Sequence, residues 1–400
     1  SSMAWRYDRR QRRPYGLILV VGLILAAGGL GLWRARGSNQ SNHATSQVQT
    51  QAADDSTLSD DHIQGRYLLN GTVTWSRGVE QFAGADSAQP FSQLSTFNPD
   101  QYDAWTASLE CPITDNIVSF QSEVANLQFN CPPRFLPEAM KYFTIYDLAN
   151  NHTYDQAGET GLAQTREYLA KVGAQYFGTY DSADTDNICD VIALPVRVGT
   201  QRGNLPVAFC GWQYFGRDPT EQELSIMDRY QKVMPVFAFV ETGVEYRATA
   251  DDRQVSVGQK LVDHGADFVI INSPHWVQNT SVYKGKLIVY SMGNFIFDQL
   301  DAETNRSVSI DVIMNIESSD NARRWLELGD SCKVYHDNCL AEAESRQLQK
   351  LSPAYTFGVV AGEGGYKVLT HKASQEAQQS VEQRTNWADT CAQLGYNRCQ

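Results

Sequence analysis

The chain has 400 residues, of which 42% are hydrophobic, and its formal net charge at pH 7 is −13. This composition is sufficient for one large domain or two ordinary ones. The acidic balance argues against a nucleic-acid-binding protein, because phosphate backbones are bound by basic faces.

The N-terminal segment has the pattern of a membrane anchor. Five arginines between Arg6 and Arg13 precede an uncharged apolar run from Gly16 to Trp33. As a helix, this run would rise about 27 Å, close to the roughly 30 Å hydrocarbon thickness of a bilayer. It predicts a transmembrane anchor at residues 16–33, with a basic cytoplasmic N-terminus at residues 1–15 and an extracytoplasmic main domain. The protein is therefore expected in the cell membrane as a single-pass protein.

A cleaved signal peptide is the alternative interpretation of this segment. Its apolar region is usually about 7–15 residues long and ends in a small-x-small site. Here the run is longer and ends in Trp33-Arg34-Ala35-Arg36, which favours an uncleaved anchor.

Residues 34–62 are mostly small and polar, and such a composition predicts a flexible linker because it cannot bury enough apolar surface to order the chain. A globular domain is predicted at residues 63–318. Residues 319–400 form a C-terminal extension that contains the last four cysteines and is expected to pack on the domain.

Eight cysteines occur as four close pairs along the chain. An even number in such pairs suits disulfides in an oxidising compartment beyond the membrane. Pairing of neighbours is one of many possible connectivities, and free buried thiols are an alternative. A metal site is less favoured because no Cys-x-x-Cys occurs. The pairs are Cys111 and Cys131, Cys189 and Cys210, Cys332 and Cys339, and Cys391 and Cys399.

Strands and helices are predicted to alternate along the globular part. One helix is predicted to begin with Asp155 as its N-cap and to stop before Gly173, and another covers Val255–His264. The alternation predicts an α/β fold whose functional groups lie on loops after the strands. The predicted strands are residues 67–73, 143–149, 175–178, 207–210, 236–240, 268–271, 287–290 and 307–315.

Polar residues of the kind used by metallohydrolases follow several of these strands. Carboxylate oxygen, amide oxygen and imidazole nitrogen together suit Mn, Fe or Zn. The residues are Glu110, Asn151, His152, Glu241, Glu245, His275 and Asn294.

Four motifs make the chain resemble the CapA family, the membrane-anchored poly-γ-glutamate capsule-synthesis proteins with a metallophosphatase-like fold. The resemblance covers roughly residues 66–317. The segment around Gly293-Asn-Phe-Ile-Phe is the most specific. The motifs are Ser108-Leu-Glu-Cys-Pro-Ile-Thr114, Leu148-Ala-Asn-Asn-His-Thr-Tyr-Asp155, the adjacent segments Gly265–Ile271 and Ser273–Val277, and Val282–Asp298.

The resemblance implies a four-layer α/β/β/α sandwich on the outer face of the membrane. It also implies a role in the biosynthesis or export of poly-γ-glutamate or another capsule polymer. The expected partners are that anionic polymer, other membrane capsule-synthesis components and the membrane itself, with no nucleic acid.

Three positions depart from the family's pattern. The family opens with Gly-Asp where this chain has Gly71-Thr72, and it has a His-Trp-Gly-x-Glu-Tyr motif where this chain begins with Glu241. It usually has a further His where this chain has Ser273. A neutral hydroxyl cannot bridge two cations as a carboxylate does, so one divalent metal, or none, is expected rather than two.

Candidate roles follow from the motifs. His152 and His275 are candidates for catalysis, and the tentative metal set is Glu110, Asn151, His152, Glu241 and His275. The binding candidates are Arg77, Glu110, Asn151, Glu245 and Asn294. Each also has a structural explanation, such as a packed histidine, a turn-forming Asn294 or an ion pair of Arg77.

Three functions are compatible with the sequence. The first is an anchored component that binds an anionic polymer and assists its synthesis or export. The second is a metal-dependent hydrolase or transferase acting on phosphoester or γ-glutamyl bonds, with a partly degenerate metal site. The third is a receptor-like module that has kept the fold without the chemistry.

Overall fold

The computed structural model describes residues 62–396. The predicted anchor at residues 16–33 and Cys399 lie outside the described residues. Within the part that is described, no helix is both long enough and apolar enough to cross a membrane.

Long strands dominate the architecture. In chain order they are β1 (His62–Val73), β2 (Ala104–Leu109), β3 (Phe143–Asp147), β4 (Gln175–Phe177), β5 (Cys189–Val198), β6 (Gln201–Gln213), β7 (Val236–Glu241), β8 (Phe268–Asn272), β9 (Thr280–Tyr283), β10 (Lys286–Val289), β11 (Asn294–Ile296), β12 (Arg306–Glu317), β13 (Ala354–Glu363) and β14 (His371–Lys372).

Helices separate most of the parallel strands. They are α1 (Arg77–Ala83), α2 (Phe120–Asn126), α3 (Leu136–Ala139), α4 (Glu159–Lys171), α5 (Glu221–Gln231), α6 (Asp252–Asp263), α7 (Asp320–Val334), α8 (His336–Ser345), α9 (Gln375–Thr385) and α10 (Trp387–Gln393).

Strand β1 is the strand at which the sheet branches. Its first half pairs antiparallel with β12 and, at Ile63 and Gln64, with β5. Its second half pairs in parallel with β2 and β11. The main path runs β14-β13-β12-β1-β5-β6-β7-β8-β10-β9, and β2, β3 and β4 extend from β1 in the other direction. The predicted α/β class is confirmed as a mixed, sheet-rich α/β fold.

Two buried cores lie on the two sides of this branch. In the first, Phe237 of β7 and Phe268 of β8 contact Tyr355 and Phe357 of β13, with 5.3 Å between the ring centroids of Phe268 and Phe357. The second, centred on Trp105, is formed by β1, β2 and β3 with α1 and α4. Both cores leave the carboxyl ends of the parallel strands free to carry polar loops.

The helix after β3 begins later than the sequence predicts. Helix α4 starts at Glu159 with Gly158 at its N-cap, so the prediction of Asp155 as N-cap is wrong. The Asp155 carboxylate instead accepts hydrogen bonds from the backbone of Phe129 and from the His152 ring. The same side chain can satisfy a helix end or a histidine, and only the tertiary structure decides between them.

Three of the predicted disulfides are present. Cys111 pairs with Cys131, Cys189 with Cys210, and Cys332 with Cys339. Among these, the Cys189–Cys210 bond joins directly opposite positions of the antiparallel strands β5 and β6. The partner of Cys391 in the predicted fourth pair is outside the described residues.

We expect the double variant Cys189→Ala/Cys210→Ala to lose about 3 kcal/mol of unfolding free energy. Its bond closes a loop with a sequence separation of 21, and cross-linking removes loop-closure entropy from the unfolded chain. Urea unfolding measures the loss. Cys332→Ala/Cys339→Ala is the comparison, with a smaller expected loss because its separation is only 7. A Cys189/Cys210 double variant as stable as the wild type would contradict this stabilisation.

Candidate functional site

The polar loops meet at the carboxyl ends of strands from both arms of the sheet. Glu110 follows β2, the Asn150–His152 turn follows β3, and Glu241 ends β7. His275 follows β8, and Asn294 begins β11. Parallel strands place their carboxyl ends at one edge, which is where α/β folds hold their sites.

Glu110 lies at the centre of this group and is only 2% exposed. Its Oε1 is 3.6 Å from Nε2 of His275 and 3.9 Å from Nε2 of His152. The Asn150 amide nitrogen lies between two carboxylates, 3.0 Å from Oε2 of Glu241 and 3.4 Å from Oε2 of Glu110. One carboxylate therefore faces two imidazoles, and one amide links it to a second carboxylate.

His152 is held from one side of its ring. Its Nδ1 lies 2.6 Å from Oδ2 of Asp155, and the ring stacks on Phe129 with centroids 4.0 Å apart. A carboxylate on Nδ1 favours a proton on that nitrogen. The Nε2 atom is then directed at Glu110.

His275 is held in a similar way. Its Nδ1 lies 2.7 Å from Oδ1 of Asn294. The Asn294 amide group donates to Gln299 and to the Thr304 carbonyl, so its oxygen accepts from the imidazole. Nε2 of His275 is therefore the free nitrogen, and it also faces Oε1 of Glu245 at 3.8 Å.

The backbone around His275 is held in an unusual conformation. His275 has φ of 60°, Ser273 has 113° and Tyr246 has 59°. Residues other than glycine rarely adopt these φ values, and each such residue costs about 1–3 kcal/mol of conformational energy. Strain of this kind persists where the surrounding structure fixes a functional geometry.

Arg77 is engaged in an ion pair rather than free for a ligand. Its guanidinium forms a side-on pair with the Asp298 carboxylate and lies between two aromatic rings, 4.6 Å from the Phe129 centroid and 4.8 Å from that of Phe297. Phe129 stacks on His152 and Phe297 contacts His275. Arg77 therefore packs against the two aromatic rings that contact the imidazoles of His152 and His275.

The site concentrates acidic groups in a buried setting. Burial raises the pKa of Glu241 well above its ordinary value, and the charges of Glu110 and Asp147 raise it further. Burial also raises the pKa of Asp147, to about 7, and that of Glu245. Burial alone would lower the pKa of His152, but the bond to Asp155 and the charge of Glu110 outweigh it and raise the pKa.

The variant Glu241→Gln is expected to stabilise the metal-free protein increasingly as pH rises. A carboxyl whose folded-state pKa is raised favours folding while it is protonated, and that contribution is lost between its ordinary pKa and the raised one. The glutamine cannot ionise, so the gap in unfolding free energy between variant and wild type should open over this interval.

Urea unfolding in a chelator at a series of pH values measures this gap. Glu138→Gln is the control, because Glu138 pairs with Lys141 on the surface. A difference in unfolding free energy between Glu241→Gln and the wild type that is the same at every pH would contradict a raised folded-state pKa of Glu241.

The sequence-predicted residues occupy different positions relative to Glu110. His152, His275 and Glu241 lie around it, and Asn294 orients His275. Asn150, not Asn151, donates to the two carboxylates; Asn151 is half-buried on the following turn, and its role stays a prediction. Of the departures from the family's pattern, Thr72 is buried between Ser108 and Asn294 in the sheet.

Sequence reasoning did not identify several residues that support the site. Asp155 and Phe129 fix the ring of His152, and Asp298 holds Arg77. Asp155 lies within the Asn-Asn-His motif, so its acid three residues after His152 is a usable signal. Phe129 has no local signal that points to His152.

The donor set fits one divalent cation better than two. A carboxylate oxygen and two imidazole nitrogens, each ring with its Nδ1 hydrogen-bonded, are the arrangement common around bound metals. Neighbouring donors around a tetrahedral ion lie about 3.4 Å apart, so the 3.6 Å between Glu110 and His275 fits such a shell. Nε2 of His152 is 3.9 Å from Glu110, and the three donor atoms do not all lie within 4.8 Å of one another, so an imidazole would have to move before both rings could bind one ion.

The tightest group of potential ligands is elsewhere. In the region described, Asp190, His336 and Asp337 form the one set of three or more His, Cys, Asp or Glu whose donor atoms all lie within 4.8 Å of one another. The Glu110 site is looser than this set. Its support as a metal site comes from the orientation of its imidazoles and from the buried carboxyl groups around them.

A known protein family matches the part of the chain that carries these loops. The model of the family described as "Bacterial capsule synthesis protein PGA_cap" matches residues 66–233 and 220–299, more than half of the chain. Those ranges contain Glu110, His152, Glu241, His275 and Asn294.

Two relatives are similar over part of their length. The capsule biosynthesis protein CapA of Bacillus anthracis is 30% identical over 176 residues, which are 39% of this chain and 41% of that protein. The PGA biosynthesis protein CapA of Bacillus subtilis (strain 168) is 28% identical over 265 residues, 61% of this chain and 65% of that protein. The chain thus spans less than two thirds of either relative.

Among solved structures, TT1561 of Thermus thermophilus is similar with a TM-score of 0.36 and 11% identity. The likeness covers 61% of this chain and 93% of that one.

Proposed function

Because this chain belongs to the bacterial capsule synthesis family PGA_cap, we propose that it is a component of poly-γ-glutamate or capsule polymer biosynthesis and export that binds an anionic polymer. The family match confirms the resemblance identified from the motifs. The names of the two Bacillus relatives support the capsule role.

The proposed location is the outer face of the cell membrane, with the N-terminus in the cytoplasm. The apolar run Gly16–Trp33 and its basic flank support an anchor. Three disulfides support an oxidising compartment for residues 63–400. Other membrane capsule-synthesis components are the proposed protein partners.

The finer architecture is part of the same proposal. The family resemblance implies four α/β/β/α layers, and the packing of β13 against β7 and β8 supports two facing sheets. A domain at residues 63–318 with a packed extension is compatible with β13, which follows residue 318 and pairs with β12.

The observation that carries the proposal is the convergence of His152 and His275 on Glu110, on loops that bear the family's motifs. Two histidines that each have Nδ1 hydrogen-bonded and Nε2 directed at the same buried carboxylate support a binding site over a purely structural role.

Glu110, His152 and His275 are the residues that would hold one Mn, Fe or Zn ion, with Glu241 and Glu245 next to them. Such an ion would supply positive charge and polarise a carbonyl or phosphoryl group. The carboxylates of the site repel a polycarboxylate in the absence of a cation. We therefore expect polymer binding at this site to depend on divalent metal.

A second candidate function is a hydrolase or transferase acting on phosphoester or γ-glutamyl bonds. The observation in its favour is the pairing of His152 with Asp155 at 2.6 Å. A carboxylate on Nδ1 fixes the imidazole so that Nε2, in a protein whose His152 does not bind the ion, can exchange a proton with a reacting group. His275, fixed by Asn294, is the second candidate for proton transfer.

The deciding experiment uses the full-length chain in detergent, purified without chelator and without a histidine tag. Bound metal is quantified, binding of poly-γ-glutamate is measured with and without chelator, and phosphodiester and polyglutamate cleavage are assayed. His152→Ala is compared with His371→Ala, a half-exposed histidine at the sheet edge.

Metal-dependent binding that weakens in His152→Ala without any turnover would support the binding component. Turnover that is lost in His152→Ala and kept in His371→Ala would instead establish the enzyme. A protein that neither binds nor cleaves polyglutamate, with or without metal, would overturn the polymer proposal.

A further inference from the structure

A second group of potential metal ligands lies on elements that take no part in the Glu110 site. Asp190 is in β5, directly after Cys189, and His336 and Asp337 open α8. Nδ1 of His336 is 3.2 Å from Oδ1 of Asp190 and 3.1 Å from Oδ1 of Asp337. Two acids from distant parts of the chain therefore approach one nitrogen atom.

The geometry of this nitrogen is not that of a hydrogen bond. Nδ1 of His336 is buried and has no hydrogen-bond partner, although both carboxylate oxygens are within 3.2 Å of it. An N–H group could point at one oxygen, but its direction satisfies neither. Separations of about 3.0–3.4 Å are those of neighbouring donors around an ion with bonds of about 2.1 Å. The two separations from the His336 nitrogen fit this range, and the donor atoms of all three residues lie within 4.8 Å of one another.

Two disulfides hold the ligands in place. Cys189–Cys210 fixes β5 next to Asp190, and Cys332–Cys339 closes the short loop that contains His336 and Asp337. Asp190 is 9% exposed, so its charge is largely removed from water. Ligands held on a constrained backbone lose little entropy when they bind.

The surroundings leave a route for an ion. A cavity of about 370 Å³ lies beside the cluster and is lined by Tyr176, Val191, Lys333 and His336 among others. The Tyr176 ring meets His336 edge-on with centroids 6.0 Å apart. Asp337 is exposed, so an ion can enter from solvent and keep water as its remaining ligands.

We propose that Asp190, His336 and Asp337 form a divalent-cation site that ties helix α8 to strand β5. One imidazole nitrogen and two carboxylate oxygens suit a borderline cation, and Zn²⁺ is the appropriate probe. The site joins the segment after residue 318 to the central sheet. It has a structural role that is independent of capsule chemistry.

The test is zinc binding by the untagged full-length chain, measured by equilibrium dialysis on a Glu110→Gln background so that the first site does not contribute. We expect His336→Gln and Asp337→Asn each to lose one zinc equivalent. We also expect added zinc to raise the melting temperature of the background protein and to leave that of both variants unchanged. Circular dichroism verifies that both variants fold.

His264→Gln is the matched control. His264 also contacts two carboxylates, but Asp228 lies near its Nδ1 and Glu221 near its Nε2. The two carboxylates therefore do not approach the same nitrogen atom, as they do at His336. This control is expected to keep the zinc equivalent. If zinc stoichiometry is the same in the background, His336→Gln and Asp337→Asn, the group is an ion pair of a protonated histidine and the proposal is overturned. Equal loss in His264→Gln would overturn it as well.

Discussion

The variant Glu110→Gln is expected to lower the affinity of the candidate site for Mn²⁺ or Zn²⁺ at least about 100-fold. Loss of a mere supporting group around a metal typically costs 10–100-fold, and Glu110 is the residue that faces both imidazoles. Glutamine keeps the size of the side chain and an oxygen for the Asn150 amide, but it removes the negative charge that a cation requires. Metal-dependent polymer binding or turnover should be lost with it.

Metal titration of the full-length chain on a His336→Gln background isolates this site from the second one. The control is Glu363→Gln, because Glu363 also lies near a histidine, His371, at 3.8 Å, but on the edge strand β13. It is expected to bind metal as the wild type does. Unchanged affinity in Glu110→Gln would remove Glu110 from the ligand set and with it the metal interpretation of this site.

The strands that carry the site could be predicted because they are buried on both faces. Strand β8 was predicted at residues 268–271 and is observed at Phe268–Asn272, with all five residues buried. Such strands have continuous apolar runs that end at the first polar residue, so the following loop is also located. For this reason His152, Glu241 and His275 could be placed after strands from sequence alone. Glu110 follows β2 (Ala104–Leu109), which was not predicted as a strand, and it was identified only through its motif.

Contacts between distant segments could not be predicted. Arg77 and Asp298 are 221 residues apart, and their pairing depends on the register between β1 and β11. Likewise, Asn150 and Glu241 meet only because β3 and β7 end at the same edge. A local pattern gives the residue types available to a site. The sheet topology determines which of them meet.

The branching of the sheet at β1 was not predicted either, and it explains how both arms contribute to one site. The apolar run at residues 67–73 gives no sign that its two halves have different neighbours. Leu68 and Leu69 pair with β12 and β2, whereas Thr72 and Val73 pair with β11 and β2, so β11 replaces β12 as the neighbour along β1. Between Leu69 and Thr72, strand β1 must therefore pass close to the residues just before β11.

The variant Gly71→Ala is expected to lose about 3 kcal/mol or more of unfolding free energy and most of the metal affinity of the site. A β-carbon at Gly71 would lie 2.1 Å from the carbonyl oxygen of Gly293, which is backbone and cannot rotate away. That carbonyl also accepts a hydrogen bond from the Thr72 amide at 3.0 Å. Relief of such a clash requires backbone movement, and overpacking alone costs about 1–3 kcal/mol.

The movement falls on the site because Gly293 immediately precedes Asn294, which orients His275 through a 2.7 Å hydrogen bond. Separation of β1 from β11 would release that ring from its alignment with Glu110. Urea unfolding and metal titration measure the two effects. Gly203→Ala is the control: it is also a strand glycine, but its β-carbon would meet nothing closer than 3.5 Å. Wild-type stability and metal affinity in Gly71→Ala would mean that β1 and β11 are not held at this spacing, and the alignment of His275 would then need another cause.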